Sequence, residues 1–314
     1  MIELKRLTLD DKSKIESFTA KFPPYSDFNF ISLYSWSLHS QTSFYIDDEK
    51  FLLKLPDYSS QEFILSFMIL KNFNKNFLEI LDFLDREEIT KKFDLLPEIL
   101  VPQIRSFFER SNLDYVLKED RGSFDYILNI NKTVNAFGNE YKKYRQRLSR
   151  FNREWSASVR PYAFDPQSES HIEKAEHLLK DWVVNKQPNN INYEYEGLAF
   201  SRFLTIARHS DRLIFKAFEN NSKLVGLSGY EIIDSNNAIG HFIKYDPGLQ
   251  NMFFFLIDNI CKDLQKRGIN NINIEQDLDI PTLRLSKEHL RPSDYLKKFS
   301  LRVGISDFDN SDLS

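Results

Sequence analysis

Three consecutive segments of alternating apolar and polar residues constrain the fold of this chain more than any other feature of its sequence. The segments are RLIFKAFE (212–219), KLVGLSGYEII (223–233) and NAIGHFIKY (237–245). Short connections that contain asparagine, at 220–221 and 235–237, join them, which is typical of hairpin turns. The segments therefore predict an antiparallel meander of three strands. The apolar stretch 249–267, followed by Gly268 as a C-cap, predicts a long, partly buried helix directly after the meander.

The N-terminal half of the sequence predicts a similar order of elements. A strand over 2–9 is followed by a helix, three short strands, a helix over 73–85 and further strands and helices to about residue 130. The aromatic-rich segment 24–36 predicts a short helix capped by Ser26 or Asp27. We expect an α/β (α+β) protein of two tandem domains with mixed, largely antiparallel sheets. The expected boundaries are a first domain over 1–134, a basic linker helix over 135–156, a second domain over 157–303 and a C-terminal tail over 304–314.

Length and composition set the limits of this arrangement. The 314 residues allow two domains of about 150 residues each, and 28 phenylalanines are ample for two cores. A net charge of −4 excludes a protein that coats nucleic acid over its whole surface, but it allows a local basic strip. The single cysteine, Cys261, lies in an apolar run and excludes an intramolecular disulfide and a multi-cysteine zinc site. The histidines show no metal-ligand spacing, so no metal site is predicted.

The N-terminus and the hydropathy pattern predict a cytoplasmic protein. The first residues, MIELKRLTLDDKSK, predict an alternating strand and a charged helix start, without the apolar core of a signal peptide. No stretch approaches the roughly 18 apolar residues that are needed to span a bilayer.

The segment FGNEYKKYRQRLSRFNREW (137–155) predicts a basic amphipathic helix. Aromatic and apolar residues recur every three or four positions, which gives one apolar stripe. The other faces carry six bases, which are Lys142, Lys143, Arg145, Arg147, Arg150 and Arg153. Two interpretations are open. The segment is either a solvated linker helix packed by its aromatic edge, or a wall that binds the phosphates of a lipid head group or of an RNA backbone.

The stretch NIEQDLDIPTLRLSKEHLRP (273–292) concentrates acids and bases in one short segment. The acids are Glu275, Asp277 and Asp279, and the bases are Arg284 and Lys287. The acids follow a short apolar-alternating strand, and Pro281 suits the first turn of the next helix. The two bases are three residues apart and share one face of that helix. The segment is either a strand–turn–helix connection with solvated charges or the polar edge of a cleft.

Four segments resemble the family known as DUF2156. They are SDFNFISLYSW (26–36), KKYRQRLSRF (142–151), GHFIKYD (240–246) and NIEQDLDIPTLRLSKEHLRP (273–292). This family comprises the C-terminal domain of phosphatidylglycerol lysyltransferases and its stand-alone relatives. The resemblance implies two tandem acetyltransferase-like (GNAT) domains and the transfer of an aminoacyl group from a charged tRNA to a lipid hydroxyl. The sequence departs from the family pattern at Gln146, Ile243, Ile274 and Asp279, where asparagine, an acid, arginine and glycine are usual.

The resemblance also implies the residues of the site. Asp277 or Glu275 would take up a proton or hold the α-amino group of the donor. Lys287 and Arg284 would stabilise an oxyanion or a phosphate. The residues expected to bind substrate are Lys244 and His241 in the strand motif and Lys143, Arg145 and Arg147 on the basic helix. The implied partners are the acceptor end of a tRNA and an anionic lipid head group, in the cytoplasm or at the inner membrane surface.

Three functions are open at this point. The first is a transferase that uses aminoacyl-tRNA as its donor. The second is an acyl-CoA-dependent N-acyltransferase, for which only Gly248 in the turn 245–250 matches the usual pyrophosphate-binding pattern. The third is a non-catalytic binding protein, expected if the side chains of 253–255 fill the cleft. The sequence has no GxGxxG, Walker or GxSxG motif, and it assigns no cofactor.

Overall fold

The computed structural model describes residues 1–38, 41–57, 62–185 and 192–304. The strands are β1 (Lys5–Arg6), β2 (Ser43–Ile46), β3 (Lys50–Pro56), β4 (Phe63–Ile69), β5 (Lys92–Pro97), β6 (Tyr115–Glu119), β7 (Asp125–Asn129), β8 (Arg160–Tyr162), β9 (Leu213–Asn220), β10 (Lys223–Ile232), β11 (Asn237–Tyr245), β12 (Asn271–Asn273), β13 (Asp294–Leu296) and β14 (Lys298–Val303). The helices are α1 (Lys12–Thr19), α2 (Phe30–Ser35), α3 (Phe73–Arg86), α4 (Val101–Ser111), α5 (Ile130–Asn135), α6 (Lys142–Trp155), α7 (Glu169–Asn185), α8 (Asn192–Ala207), α9 (Met252–Lys266) and α10 (Pro281–Glu288). Within the described ranges, no helix is long and apolar enough to cross a bilayer.

The first of two compact units contains Met1–Lys21, Ser37–Phe124 and the described residues from Leu296 onward. Its strands β1, β2, β3 and β4 form an antiparallel sheet in chain order. A second sheet has the order β5-β14-β6, with β14 antiparallel to both neighbours. Phenylalanine rings fill the core. The ring centroid of Phe77 on α3 lies 4.9 Å from that of Phe107 and 5.3 Å from that of Phe67.

The second unit contains Phe22–Trp36 and Asp125–Tyr295. One sheet with the order β13-β7-β12-β11-β10-β9-β8 runs through it. The meander predicted from the sequence forms β9, β10 and β11, each antiparallel to the next, whereas β11 and β12 are parallel. The predicted long helix is α9. The fold is therefore mixed α/β with largely antiparallel sheets, as the sequence predicts. The tandem arrangement of two acetyltransferase-like domains stays a prediction.

Each unit includes one strand from the other half of the sequence. β7 comes after the elements of the first half, but it lies between β12 and β13 in the sheet of the second unit. β14 comes after the elements of the second half, but it lies between β5 and β6 in the first unit. The boundaries expected at residues 134 and 157 are set by the order of elements along the chain alone, and they do not take these two exchanged strands into account. Strand pairing is what decides which residues pack together.

β10 carries helices on both faces of its sheet. Alternate residues of a strand point to opposite faces, so Gly226 and Gly229 lie on different faces. A Cβ atom at Gly226 would meet Met252 on α9, and one at Gly229 would meet Phe203 on α8. One face is therefore covered by α9, with α5 and α6 packed on it, and the other by α8, with α7 and α2.

The basic segment forms the helix α6, as its periodicity predicts, and this helix belongs to the second unit. Its apolar stripe is buried at Tyr144 and Phe151. The ring of Phe151 stacks on that of Phe255 from α9, with 4.4 Å between centroids. The packing of this stripe leaves most of the basic side chains at the surface.

Candidate functional site

β12 lies beside β11 over only part of the length of β11. They pair in parallel over residues 237–239 and 271–273, where β12 ends. β11 continues to Tyr245, while the chain after β12 turns away with Glu275 in the left-handed region, at φ +59°. A positive φ is uncommon outside glycine, and such backbone is concentrated at functional sites. The polar residues beside the part of β11 that follows Ile239, where β12 no longer pairs with it, form the candidate site.

His241 is the extra residue of a β-bulge in β11. On β10, Gly229 lies opposite Phe242 and the next residue, Tyr230, lies opposite Gly240, so that His241 has no opposite residue. A bulge changes the direction of a side chain and is frequent beside active sites. Here the imidazole lies on the α8 face, with its centroid 5.9 Å from that of Phe203. Its side chain is only 1% exposed.

Four polar residues surround His241. Nε2 lies 3.4 Å from Oε2 of Glu231 on β10, and Nδ1 lies 3.7 Å from Oε1 of Glu275. The hydroxyl of Ser32 on α2 is 3.2 Å from Nδ1 and donates to Oε1 of Glu275, also at 3.2 Å. The amide of Asn29 donates to Oε2 of Glu231 at 2.9 Å. We call these five residues the His241 cluster.

The two carboxylates determine the charge of the imidazole. Burial alone lowers the pKa of His241, but the contacts with Glu231 and Glu275 outweigh it and raise the pKa to about 9. Nε2 has no hydrogen bond of good geometry, so the contact with Glu231 is an ion pair. His241 is therefore an imidazolium at neutral pH. Glu231 is buried, whereas the side chain of Glu275 is 27% exposed and Ser32 is also partly exposed, so a substrate can reach these two residues.

Asp277 and Arg284 hold the turn after β12 together. The carboxylate of Asp277 is completely buried and accepts two hydrogen bonds of 2.8 Å from Arg284 and one of 2.5 Å from the hydroxyl of Tyr126. Burial alone would raise the pKa of Asp277, but these hydrogen bonds have the larger effect and bring the pKa below its usual value. Two residues that lie between this pair in the turn, Leu278 and Asp279, both have φ +54°. The hydrogen bonds between Asp277 and Arg284 hold the turn in this conformation. The structure therefore gives Asp277 and Arg284 a framework position, and their predicted catalytic roles stay predictions.

Lys287 also lies within this framework. Its ammonium group donates to the backbone carbonyl of Ile274 at 2.7 Å and to that of Gln276. The side chain is buried, and Nζ lies 5.7 Å from the ring centroid of Tyr126. Of the four predicted catalytic residues, Glu275 is the one that the structure brings to His241.

Lys244 lies on the same face of the sheet as the His241 cluster. It is opposite Leu227, an even number of residues before Gly229 and Glu231 on β10. Its ammonium group forms an ion pair with Glu196 on α8 and lies 4.0 Å from the ring centroid of Trp182 on α7. Lys244 is buried, as a cation that is already paired.

The basic residues of α6 lie on the other face of the sheet, the face that α9 covers. Arg147 donates to Oδ1 of Asn251 at 3.3 Å, and its guanidinium lies over the ring of Phe254. Arg145 donates to the carbonyls of Ala136 and, at 2.8 Å, of Gly138. The structure therefore does not place these residues, or the neighbouring Lys143, in the His241 cluster. The outer side of α6 forms an open depression of about 440 Å³, lined by Lys142, Arg145, Gln146, Ser149, Arg150 and Arg153.

The sequence patterns do not predict three members of the His241 cluster, which are Asn29, Ser32 and Glu231. Asn29 and Ser32 lie in the aromatic segment, where the sequence predicts a helix cap at Ser26 or Asp27. That prediction is wrong, because the cap of α2 is Asn29, whose Oδ1 accepts from the backbone N–H of Ser32 at 3.0 Å. Glu231 has a signal in the sequence, since it is the only acid in the segment 223–233.

In the turn before α9, the carboxylate of Asp246 accepts a hydrogen bond from the backbone of the same turn. The backbone N–H of Gly248 donates to Oδ1 of Asp246 at 2.9 Å, and that of Leu249 donates to the carbonyl of Asp246 at 3.0 Å. A pyrophosphate would need these N–H groups free, without a carboxylate beside them. The turn therefore fits a CoA pyrophosphate poorly. Within the described residues, no group of three or more His, Cys, Asp or Glu side chains could hold a metal ion.

Two of the residues that depart from the family pattern, Ile243 and Ile274, lie in apolar surroundings. Ile274 is buried in the core cluster beneath α9, and Ile243 packs against the same cluster. Phe254 belongs to this core as well, while Phe255 packs on Phe151 and Phe218. These phenylalanines fill the α9 face of the sheet, whereas the His241 cluster lies on the opposite face.

Comparison with known proteins gives the family of the chain. The family model described as "Phosphatidylglycerol lysyltransferase, C-terminal" matches residues 25–302. A conserved protein of unknown function from Bacteroides thetaiotaomicron VPI-5482 is similar in structure, with a TM-score of 0.80 and 21% sequence identity, over 96% of this chain and 100% of that chain. No curated protein sequence gives a significant match.

A second solved structure is the C-terminal domain (DUF2156) of a candidate lysylphosphatidylglycerol synthetase from Agrobacterium fabrum. It is similar with a TM-score of 0.63 and 10% identity, over 94% of this chain and 92% of that chain. At these identities the two structures establish the shared fold, and the match of the family model over most of the chain establishes the family. The chain therefore belongs to the family of the C-terminal domain of phosphatidylglycerol lysyltransferases.

Proposed function

We propose that this protein is an acyltransferase that moves an aminoacyl group from aminoacyl-tRNA to a hydroxyl or amine of a lipid or another small acceptor. The observation that carries the proposal is the position of Glu275. Its carboxylate is a partly exposed member of the His241 cluster, at the point where β11 and β12 separate. Family membership supports the transfer of an aminoacyl group in particular.

Glu275 is suited to proton transfer. Attack of a hydroxyl or amine on the ester carbonyl of the donor requires a group that takes up the proton of the nucleophile. Asp277 cannot do this without giving up its hydrogen bonds to Arg284, whereas the side chain of Glu275 is 27% exposed. Glu275 could also hold the α-amino group of the donor as an ion pair. Both roles require the carboxylate.

The exposed side of α6 supports tRNA as the donor. Lys142, Arg145, Arg150 and Arg153 line one open depression on this helix. Cations spaced along a helix neutralise phosphates of a nucleic acid backbone. This electrostatic attraction supplies most of the affinity when a protein binds RNA without recognising its sequence. The same cations would attract an anionic lipid head group.

The two alternative functions have less support. An acyl-CoA-dependent reaction requires the turn before α9 to bind pyrophosphate, and Asp246 occupies that turn. A non-catalytic binding protein is expected if phenylalanines fill the cleft. The phenylalanines of α9 instead pack on the face of the sheet opposite the His241 cluster.

A transfer assay tests the proposal. The purified chain is incubated with a mixture of radiolabelled aminoacyl-tRNAs and with vesicles that contain phosphatidylglycerol or amine-bearing lipids, and lipid products are separated by thin-layer chromatography. We expect a labelled lipid whose formation falls by about 10²–10⁴-fold in Glu275→Gln. Glu173→Gln, at an exposed position of α7, is the matched control. Absence of product from every aminoacyl-tRNA, or full activity of Glu275→Gln, would refute the proposal.

A further inference from the structure

We infer that Ser32, His241 and Glu275 form a closed proton circuit, and that the buried Glu231 is a positioning residue that keeps the circuit charged. This inference deepens the proposed function and rests on it. It adds roles for Ser32 and Glu231, and it changes the role of His241 from binding substrate to supplying a proton.

The geometry of the three groups is a small triangle. Ser32 Oγ lies 3.2 Å from His241 Nδ1 and 3.2 Å from Glu275 Oε1, and the third side, from Nδ1 to Oε1, measures 3.7 Å. A protonated imidazole donates from both ring nitrogens. Nδ1–H therefore donates to Ser32 Oγ, and the hydroxyl proton of Ser32 points to Glu275.

Four separate elements bring these side chains together. Ser32 comes from α2, Glu231 from β10, His241 from the bulge of β11 and Glu275 from the turn after β12. A buried charge is costly and does not by itself stabilise a fold. The framework pair Asp277–Arg284 satisfies its carboxylate with several hydrogen bonds, whereas Nε2 of His241 has an ion pair of 3.4 Å without hydrogen-bond geometry. The His241 cluster is thus built less tightly than the framework next to it, which suits groups that exchange protons.

The circuit balances the protons of one acyl transfer. As the acceptor attacks the donor carbonyl, its proton moves to Glu275. As the ester C–O bond breaks, Ser32 gives its hydroxyl proton to the departing oxygen and takes the Nδ1 proton of His241. Glu275 then returns the proton that it holds to Nδ1, across the 3.7 Å side of the triangle. The acceptor has exchanged a proton for the acyl group, the departing alcohol has gained a proton, and the protein is unchanged.

Glu231 has the position that this circuit requires. The charged or titratable groups next to His241 are Glu231 from β10 and Glu275 from the turn, while α2 contributes the hydroxyl of Ser32 and α8 contributes the ring of Phe203. Glu231 is buried, and its carboxylate contacts Nε2 of His241 and the amide of Asn29. Asn29 links it to Ser32, because its amide donates to Glu231 while its Oδ1 accepts from the backbone N–H of Ser32.

Nuclear magnetic resonance on the ¹³C,¹⁵N-histidine-labelled chain tests the circuit without a substrate. The His241 signals are assigned by their loss in His241→Asn. We expect a titration midpoint near pH 9 in the wild type and a midpoint at least about one pH unit lower in Glu231→Gln. The Nδ1 shift should change in Ser32→Ala and return in Ser32→Thr, which keeps the hydroxyl. An ordinary midpoint near 6.5 in the wild type, or an unchanged Nδ1 shift in Ser32→Ala, would overturn the inference even where Glu231→Gln does not fold.

Kinetics provide the second measurement. Ser32→Ala should lower kcat by about 10–100-fold with little change in KM, and Ser32→Thr should recover most of the loss. Glu231→Gln should move the alkaline limb of the kcat–pH profile to lower pH. Ser286→Ala, at a hydroxyl of α10, is the control. Full kcat in Ser32→Ala would overturn the inference. If no aminoacyl-tRNA is turned over, the proposed function fails, while the resonance experiment still decides whether the circuit exists.

Discussion

The guanidinium of Arg284 donates two hydrogen bonds of 2.8 Å to the buried carboxylate of Asp277, and this pair fixes the turn next to the candidate site. Arg284→Ala leaves the carboxylate buried with one charged partner removed. We expect this variant to lower the free energy of unfolding by roughly 2–4 kcal/mol, because an uncompensated buried charge is costly. Arg284→Lys should recover only part of the loss, since an ammonium cannot donate in the bidentate geometry. Urea unfolding measures the effect, with the exposed Arg150→Ala as the control. A loss below about 0.5 kcal/mol, the usual range for surface substitutions, would contradict the framework role.

The same carboxylate predicts how stability depends on pH. Hydrogen bonds from Arg284 and Tyr126 keep the pKa of Asp277 in the folded protein below its usual value. A carboxylate with a depressed pKa contributes stability that is fully present above the pKa of the unfolded chain, about 3.9, and that is lost as the pH falls through the folded value. Urea midpoints measured between pH 7 and pH 3 should therefore fall less steeply in Asp277→Asn than in the wild type. Parallel pH profiles for the two proteins would show that Asp277 is not the group responsible.

The fold could be read from the sequence where a pattern is local. The meander and the long helix follow from apolar alternation and helical spacing, and β9, β10, β11 and α9 lie where these patterns predict. The bulge at His241 has no such signal, because the same alternating sequence is compatible with regular pairing. Only the register of β10 against β11 shows that His241 is the extra residue.

The sequence does not predict the complete site, because its members are far apart in the chain. Ser32 and His241 are 209 residues apart, so no spacing rule connects them. The sequence does identify Glu275, but it cannot distinguish that acid from Asp277, two residues later. The distinction depends on burial and on Arg284, which engages Asp277 and leaves Glu275 to His241.

The left-handed backbone of Leu278 predicts a stabilising substitution. Leu278 has φ +54° and its side chain is exposed. The steric strain of this conformation is therefore not offset by packing of the side chain. Leu278→Gly should raise the free energy of unfolding by about 0.5–1 kcal/mol, because glycine adopts positive φ without a clash. Leu278→Val should lower it, since a β-branched residue is least tolerated there. Leu285→Gly, at an exposed position inside α10, is the control and should be destabilising by about 1 kcal/mol. The same sign for Leu278→Gly and Leu285→Gly would refute the explanation.

The exposed bases of α6 predict binding of tRNA that depends on salt. Association with uncharged tRNA, measured by fluorescence anisotropy between 50 and about 200 mM salt, should weaken steeply because bound cations displace counterions from the RNA. The triple variant Lys142→Glu/Arg150→Glu/Arg153→Glu should bind at least about tenfold more weakly and with a shallower salt slope.

The control for this experiment keeps the same change in charge. Lys14→Glu/Arg105→Glu/Arg110→Glu alters three exposed bases of the first unit, so it changes the net charge equally without touching α6. We expect this variant to bind as the wild type does. Equal losses in the two triple variants would mean that net charge, and not the face of α6, attracts the RNA.

The turn before α9 predicts that CoA does not bind. The backbone N–H of Gly248 is bonded to the carboxylate of Asp246, so a pyrophosphate would meet negative charge where it needs donors. Acetyl-CoA at millimolar concentration should therefore leave the thermal unfolding midpoint of the chain unchanged. A ligand at 100 times its Kd would stabilise the folded state by about 2.7 kcal/mol, which is large enough to be seen as a shift of several degrees. Asp246→Ala separates the two explanations of a negative result. A shift in this variant alone would show that the aspartate blocks a latent site, and a shift in the wild type would favour the acyl-CoA reaction over aminoacyl-tRNA.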